Sequence, residues 1–227
     1  MRGLVLVALL SLSGCLGAAP AGPLAVPPGT MLPELEAHYT YTNRANDEVE
    51  WHGSLDIRTQ PTRTIMDRDE EMRAAWMVEE EFQFTIPRDI IGSLAPNDFT
   101  YHTARQFAID ASLRLVRTET ACVEGCYGAY PVVAWDIQGA LLPHGLAWPA
   151  QIRDGRIAFQ VDGANVTAAV VEQDGWLRLE DGTPQPRGAA DPDVRYRFDN
   201  PWLPERMHFR KQLPGMSLQE AWYNRTS

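Results

Sequence analysis

Lysine is nearly absent from this chain, with Lys211 its only example, and the 20 cations are outnumbered by 30 acids for a formal net charge of −10. The arginines are scattered among those acids. Phosphate binding needs clustered cations, so the charge pattern argues against a nucleic-acid partner. The same deficit argues against electrostatic adhesion to anionic lipid headgroups, so membrane residence would require a covalent or apolar device. No apolar run approaches the roughly 20 residues that span a bilayer. The sequence has no HExxH, P-loop, GxSxG or GxGxxG motif. Its five histidines, His38, His52, His102, His144 and His208, are far apart and show no metal-ligand spacing. No metal, no cofactor and no catalytic residue is therefore assigned. An enzyme whose site assembles from distant residues stays open, although no common class announces itself. There is no internal repeat and no low-complexity block. At 227 residues, 44% hydrophobic and 22% charged, the chain has the make-up of one ordinary globular domain, with or without a tail.

The first residues supply an address. Arg2 gives a short cationic start, and Leu4 to Leu12 is an apolar run of signal-peptide length. Leu12-Ser13-Gly14-Cys15 follows at once. This resembles the lipobox of prokaryotic lipoproteins: an aliphatic residue, two small residues, and the cysteine that becomes the new N-terminus. The resemblance implies a signal peptide over 1–14 and acyl chains on Cys15, which would hold the protein to a membrane. Stable anchoring needs more than one chain, each buried methylene contributing about 0.8 kcal/mol. Leu16 after the cysteine favours the outer membrane if the source is Gram-negative. The alternative is a plain secretory signal cut nearer Ala18 or Ala19, giving a secreted protein. Either way the destination is the cell envelope or beyond, facing away from the cytoplasm. Residues 15–30 are small, proline-rich and uncharged, and read as a semi-extended tether. Residues 31–227 are left for a single β-rich domain.

With Cys15 lipidated, Cys122 and Cys126 remain, in the segment CVEGC. In an extracytoplasmic compartment a disulfide is the natural reading, cinching a hairpin tip around Gly125. A redox pair usually has two intervening residues at a helix start, and a zinc site would need two further ligands.

Period-two alternation dominates from residue 38 onward. Val49, Trp51, Leu55 and Ile57 alternate with polar neighbours, as do Trp76, Val78, Phe82, Phe84 and Ile86. Phe107, Ile109, Leu113 and Leu115 read as one face of a strand. Val133, Trp135 and Ile137 repeat the pattern, followed by Ile157, Phe159 and Val161, by Val194, Tyr196 and Phe198, and by Met207 and Phe209. Asp154-Gly155, Asp162-Gly163, Asp174-Gly175 and Asp181-Gly182 are hairpin signals about ten residues apart. Such spacing predicts a mainly β fold, an antiparallel meander forming an incomplete barrel or strongly curved sheet with a few short helices. Short helices are expected over Met31–His38, Pro87–Leu94 and Met216–Tyr223, and an exposed loop over Thr183–Pro192.

Two positions stand out as candidates for ligand contact. Glu80 shares a strand face with Trp76, Val78, Phe82 and Phe84, where a carboxylate would be desolvated. A bulge or strand end that turns Glu80 outward is the structural alternative. Trp76 is one of several aromatics able to line either an apolar cavity or a core. The acidic stretch Asp67, Asp69, Glu70 and Glu71 lacks the ligand spacing of a calcium loop and reads as a solvated turn.

The order of elements is similar to that of the LolA/LolB-type lipoprotein carriers. The similar parts are an N-terminal helix after the lipobox, the strand EVEWHGSLDIRT, a run of antiparallel strands and the late YRFDNPWLPERMHFRK. That resemblance implies an incomplete β-barrel covered by helices, with an apolar cavity for acyl chains. This sequence offers fewer covering helices than the pattern does. Three functions follow as expectations. One is a non-catalytic, lipid-anchored protein binding a lipid or other apolar ligand. Another is an envelope structural or protein-interaction lipoprotein with a filled core. The third is an extracytoplasmic hydrolase with a diffuse acidic site around Glu80, His52 and Asp56.

Overall fold

Alternation of apolar and polar residues becomes strand along most of the chain. The computed structural model describes residues 32–45, 49–61, 65–67, 70–72, 76–91, 97–111, 113, 115–124, 143–161, 164–180, 194–211 and 218–227. In chain order the elements are β1 (Leu35–Ala45), β2 (Val49–Pro61), β3 (Ile65–Asp67), β4 (Glu70–Met72), β5 (Trp76–Ile86), α1 (Arg88–Ile91), β6 (Phe99–Ile109) and β7 (Leu115–Glu124). A 3₁₀ turn (Pro143–Gly145) and α2 (Trp148–Gln151) follow. Then come β8 (Arg156–Val161), β9 (Ala164–Gln173), β10 (Trp176–Leu179), β11 (Arg195–Phe198), β12 (Pro204–Lys211) and β13 (Gln219–Arg225).

Eleven strands form one antiparallel sheet in the order β7-β6-β5-β2-β1-β13-β12-β11-β10-β9-β8, and β3 pairs with β4 as a separate hairpin. Among the described residues the sheet does not close into a barrel. Starting from β1 at the centre, the chain steps outward through β2, β5 and β6 to β7. It reappears at the opposite edge as β8 and returns strand by strand to β13, which pairs with β1. Two of the expected Asp-Gly turns are visible, with both residues left-handed at Asp154-Gly155 and at Asp174-Gly175, the backbone that two-residue hairpins demand.

Several local expectations fail. Leu35–His38 is strand rather than helix, and so is Gln219–Tyr223, because β1 and β13 each have a partner on both sides and the paired ladder overrides local propensity. Of Pro87–Leu94, Arg88–Ile91 forms one helical turn, and residues 92–94 lie outside the described residues. Phe107 and Leu115 do not share a strand. Leu113 is left-handed (φ 60°) and its N–H donates to the Asp110 carbonyl at 3.0 Å, so the chain reverses there into β7. Residues 133–137 and the Thr183–Pro192 loop lie outside the described residues.

The sheet is strongly curved. Phe82 on β5 and Tyr223 on β13 have ring centroids 5.9 Å apart, although β2 and β1 lie between their strands. In a flat sheet three strand spacings separate such positions by about 14 Å. Tyr41 reaches both Phe82 (5.0 Å) and Phe84 (5.8 Å) across β2. It does so over Gly53, which stands between Tyr41 and Phe84 in register. A Cβ at Gly53 would overlap the Gln83 carbonyl oxygen and lie 2.6 Å from the Phe84 Cβ. The concave face is thus apolar and aromatic. The convex face of β1, β2, β5 and β6 carries cross-strand polar pairs instead, including His38–Asp56 (2.6 Å), Arg44–Glu50 (2.8 Å) and His102–Glu81 (2.7 Å). Further along that face Arg195 Nε donates to His208 Nδ1 (2.9 Å), and the imidazole stacks on Trp222 at 3.8 Å. Burial, with Arg195 and Arg210 beside it, pushes His208 down to about 4, so a neutral ring fastens β11, β12 and β13 together.

Gly53→Ala is expected to lower stability by about 1–3 kcal/mol through overpacking against backbone. A fall in the urea midpoint at unchanged slope would register it; an unaltered midpoint would contradict the close approach.

Candidate functional site

Glu80 sits in the middle of β5, opposite Ile57 on one side and Arg105 on the other, with unbroken register through both pairings. No bulge turns it outward, and alternation delivers its side chain to the concave face, where 2% of it is exposed. The outward-turned alternative is overturned. Both carboxyl oxygens are buried and accept no hydrogen bond. Desolvation pushes the acid up to about 7, against the opposing pull of Arg105. Arg105 is itself buried at 7% exposure; its guanidinium is hydrogen-bonded to Tyr101, and burial lowers its pKa against the opposing pull of Glu80.

A second group meets Glu80 from outside the sheet. The segment Pro143–Gln151 lies across the concavity as a strap. His144, Leu146, Ala147, Trp148 and Ala150 are all buried. Its backbone is left-handed at His144 (φ 49°), Gly145 (φ 68°) and Ala147 (φ 54°), two of them residues for which that region is costly. Gly145 presses on the Tyr196 ring so closely that a Cβ would lie 2.7 Å from it. The Ala147 N–H donates to the Trp202 carbonyl at 2.6 Å. This path places the His144 ring against Tyr223 (5.8 Å) and Phe209 (6.4 Å), with Nε2 at 3.6 Å from Glu80 Oε2. That separation is not a hydrogen bond. Nor is it an ion pair: burial, with Arg105 nearby, pushes His144 down to about 3. Burial favours the neutral form of both partners, so imidazole faces carboxyl with at most the carboxyl charged.

Phenols complete the surroundings. Burial raises the pKa of Tyr39, Tyr196 and Tyr223, and each also feels the Glu80 charge. Tyr39 donates to the Pro204 carbonyl at 2.8 Å. The Tyr196 hydroxyl has no hydrogen-bond partner, nor has the Trp148 indole N–H, and those two rings lie 4.7 Å apart. Unsatisfied donors and acceptors are rare in interiors, and here both kinds gather on one concave surface. The arrangement can hold a polar group by hydrogen bonds in a low dielectric.

The other sequence candidates fall elsewhere. Trp76 is fully buried, on the same strand face but four residues from Glu80, about 13 Å along β5, and it serves the core. His52 and Asp56 are on the convex face; Asp56 faces Glu81 in register and pairs with His38. The trio Glu80, His52 and Asp56 is therefore not assembled. Asp67 and Glu70 pair in the small β3–β4 hairpin, while Asp69 is outside the described residues. Among the described residues no three His, Cys, Asp or Glu side chains converge as a metal site. The backbone of Cys122 is on β7 opposite Thr103, but its side chain, Cys126 and Cys15 all lie outside the described residues. Sequence reasoning missed Arg105 and His144. Arg105 was detectable, being a cation in phase with Tyr101, Phe107 and Ile109. His144 carried no signal, since a left-handed turn rather than a periodic element aims it.

Because its pKa is raised in the fold, Glu80 favours folding fully below its ordinary value of 4.5, and that contribution is lost as pH rises through about 7. His144 has the opposite sign: its depressed pKa removes stability as pH falls from 6.5 toward about 3. Glu80→Gln should therefore match the parent chain in stability near pH 5 and exceed it near pH 8, by up to about 3 kcal/mol. Thermal melting of both chains across that range is the check; parallel curves would mean the carboxyl is not desolvated.

Compared with protein-family models, with curated proteins and with solved structures, the chain matches none.

Proposed function

We propose that this chain is a non-catalytic, lipid-anchored binding protein of the cell envelope, which takes a lipid or other apolar ligand on the concave face of its sheet. Acyl chains on Cys15 hold it to a membrane, outside the cytoplasm, and the proline-rich stretch to residue 30 stands the domain off. One observation carries the binding half of this reading. A carboxyl group, Glu80, is buried among aromatic side chains with neither oxygen hydrogen-bonded. Such a group costs stability, as does any polar atom buried without a partner. It fits a surface that meets a ligand better than one that only packs. The open, curved sheet is also the kind of framework that the similarity to LolA/LolB-type carriers implies.

The rival reading, an interaction lipoprotein with a filled core, draws on the strap, whose Leu146, Ala147 and Trp148 are at most 1% exposed beneath the concavity. Native mass spectrometry of the protein purified from its envelope separates the two. The expected result is a co-purifying lipid mass, lost on delipidation and replaced by uptake of a fluorescent fatty acid. Protein of bare polypeptide mass that also ignores the probe would establish the filled core.

The anchor is tested apart from the ligand. Labelled fatty acid should enter the mature chain, and Cys15→Ser should abolish the label and release the protein from the membrane fraction. Labelling that survives the substitution would refute the anchor.

A further inference from the structure

Resting on the binding reading above, we propose that the end of the ligand buried at Glu80 is an uncharged hydrogen-bonding group, such as an alcohol or amide on an apolar chain. It takes the place held by the His144 imidazole.

Charge balance is the first argument. Glu80 and Arg105 are direct cross-strand partners on the concave face, and both are buried. Above about pH 7, where Glu80 is ionised, the interior thus holds one formal charge of each sign. The groups facing them from other elements are Tyr39 on β1, Tyr196 on β11, Tyr223 on β13 and His144 on the strap. The phenols and the imidazole are neutral there. A carboxylate or phosphate head would bring a second negative charge, and an amine a second positive one. Either leaves a buried charge uncompensated, which is among the most costly arrangements in a protein interior. A neutral head leaves the balance untouched.

The polar inventory is the second. Glu80 offers two oxygens that accept from nothing, whereas the Tyr196 hydroxyl and the Trp148 indole are donors with nothing to donate to. A hydroxyl or amide both donates and accepts, and so answers both sides. An ester answers only one.

The present neighbour of Glu80 is the third. His144 is a neutral ring bearing a donor and an acceptor, the same class of group as the proposed head. It stands 3.6 Å from the carboxyl, too far for a hydrogen bond. It is delivered by a strap whose left-handed residues make that conformation costly. A ligand head able to bond Glu80 directly competes with a weak occupant.

The test uses the purified full-length chain at about pH 8.5, where Glu80 is ionised, with Nile red reporting apolar occupancy. Decanol, decanamide, decanoate and decylamine, matched in chain length, are titrated as competitors. Decanol and decanamide should displace the dye at concentrations at least about tenfold below those of decanoate and decylamine. Glu80→Gln leaves Arg105 as the interior's formal charge, so it should swing the preference toward decanoate by a similar factor. His144→Ala should lower the concentration of decanol needed. Decanoate or decylamine competing as well as decanol would overturn the proposal, as would a preference that Glu80→Gln does not move. Should Nile red itself fail to bind, the concave-face reading falls and takes this inference with it; binding with the wrong charge preference removes this inference alone.

Discussion

The concave face exists because β1 pairs with β13. Seven register pairs join the two strands, from Tyr39 opposite Arg225 to Ala45 opposite Gln219. Bonds between His38 and the C-terminal Thr226 and Ser227 extend the ladder. Remove that seam and the sheet divides into two meanders, β1 to β7 and β8 to β13, with no shared concavity. It is also the contact of greatest sequence separation, its strands lying some 184 positions apart at Thr40 and Asn224. Closing so long a loop carries a large entropic cost, which packing and cross-strand bonds must offset. Side chains on both faces do so. Tyr39 donates to the Pro204 carbonyl on the concave side, Arg225 bonds Asp199 and the Leu203 carbonyl, and Trp222 stacks on His208 on the convex side.

The seam also sets the dielectric around Glu80. By carrying Tyr223 against Tyr41 and Phe82, it covers β5 with aromatic rings from the other half of the sheet. Each buried ring contributes on the order of 1.5–3 kcal/mol, and the same enclosure removes water from Glu80 and Arg105. Opposite charges buried as neighbours are weak contributors to stability, often no better than apolar residues of the same volume. A leucine facing a leucine would suit this core at least as well. The pair therefore points away from packing and toward something the concave face does, the reasoning that makes Glu80 the centre of the site rather than Trp76, a fully buried indole that carries no charge.

How much of this the residues announced depends on which physical rule acted at each. Alternation and Asp-Gly turns were local signals, and β2, β5, β8 and β11 followed them. The incomplete, curved antiparallel sheet followed too, because one-sided burial over many short strands leaves few other solutions. Edges of the pattern failed where tertiary pairing overruled local preference, at Leu35–His38 and Gln219–Tyr223. The Leu113 reversal was hidden because its apolar side chain keeps the alternation going while its backbone turns. Glu80 was legible as an acid in an apolar phase. Arg105 carried the same kind of signal on β6, but only pairing with β5 gives it meaning. Nothing local marks His144, whose place is set by the approach of a distant strap to Tyr196 and Trp202.

That strap changes what a filled interior implies. The rings of the sheet are fixed by ladders on both sides of their strands, so they cannot leave without unzipping it. The strap has no such ladder: the Ala147 bond to Trp202 and a one-turn helix closed by Ile152 N–H on the Trp148 carbonyl are of a different order. Its apolar contacts are substantial, with Trp148 fully buried against Tyr196, but they oppose a backbone held left-handed at His144 and Ala147, each such residue costing roughly 1–2 kcal/mol. For the ligand proposed above to reach Glu80, the strap is the segment that must yield. The sheet, its seam and its curvature would stay as they are, and the cost would be that of lifting one short segment off a carboxyl group 3.6 Å away that it does not hydrogen-bond.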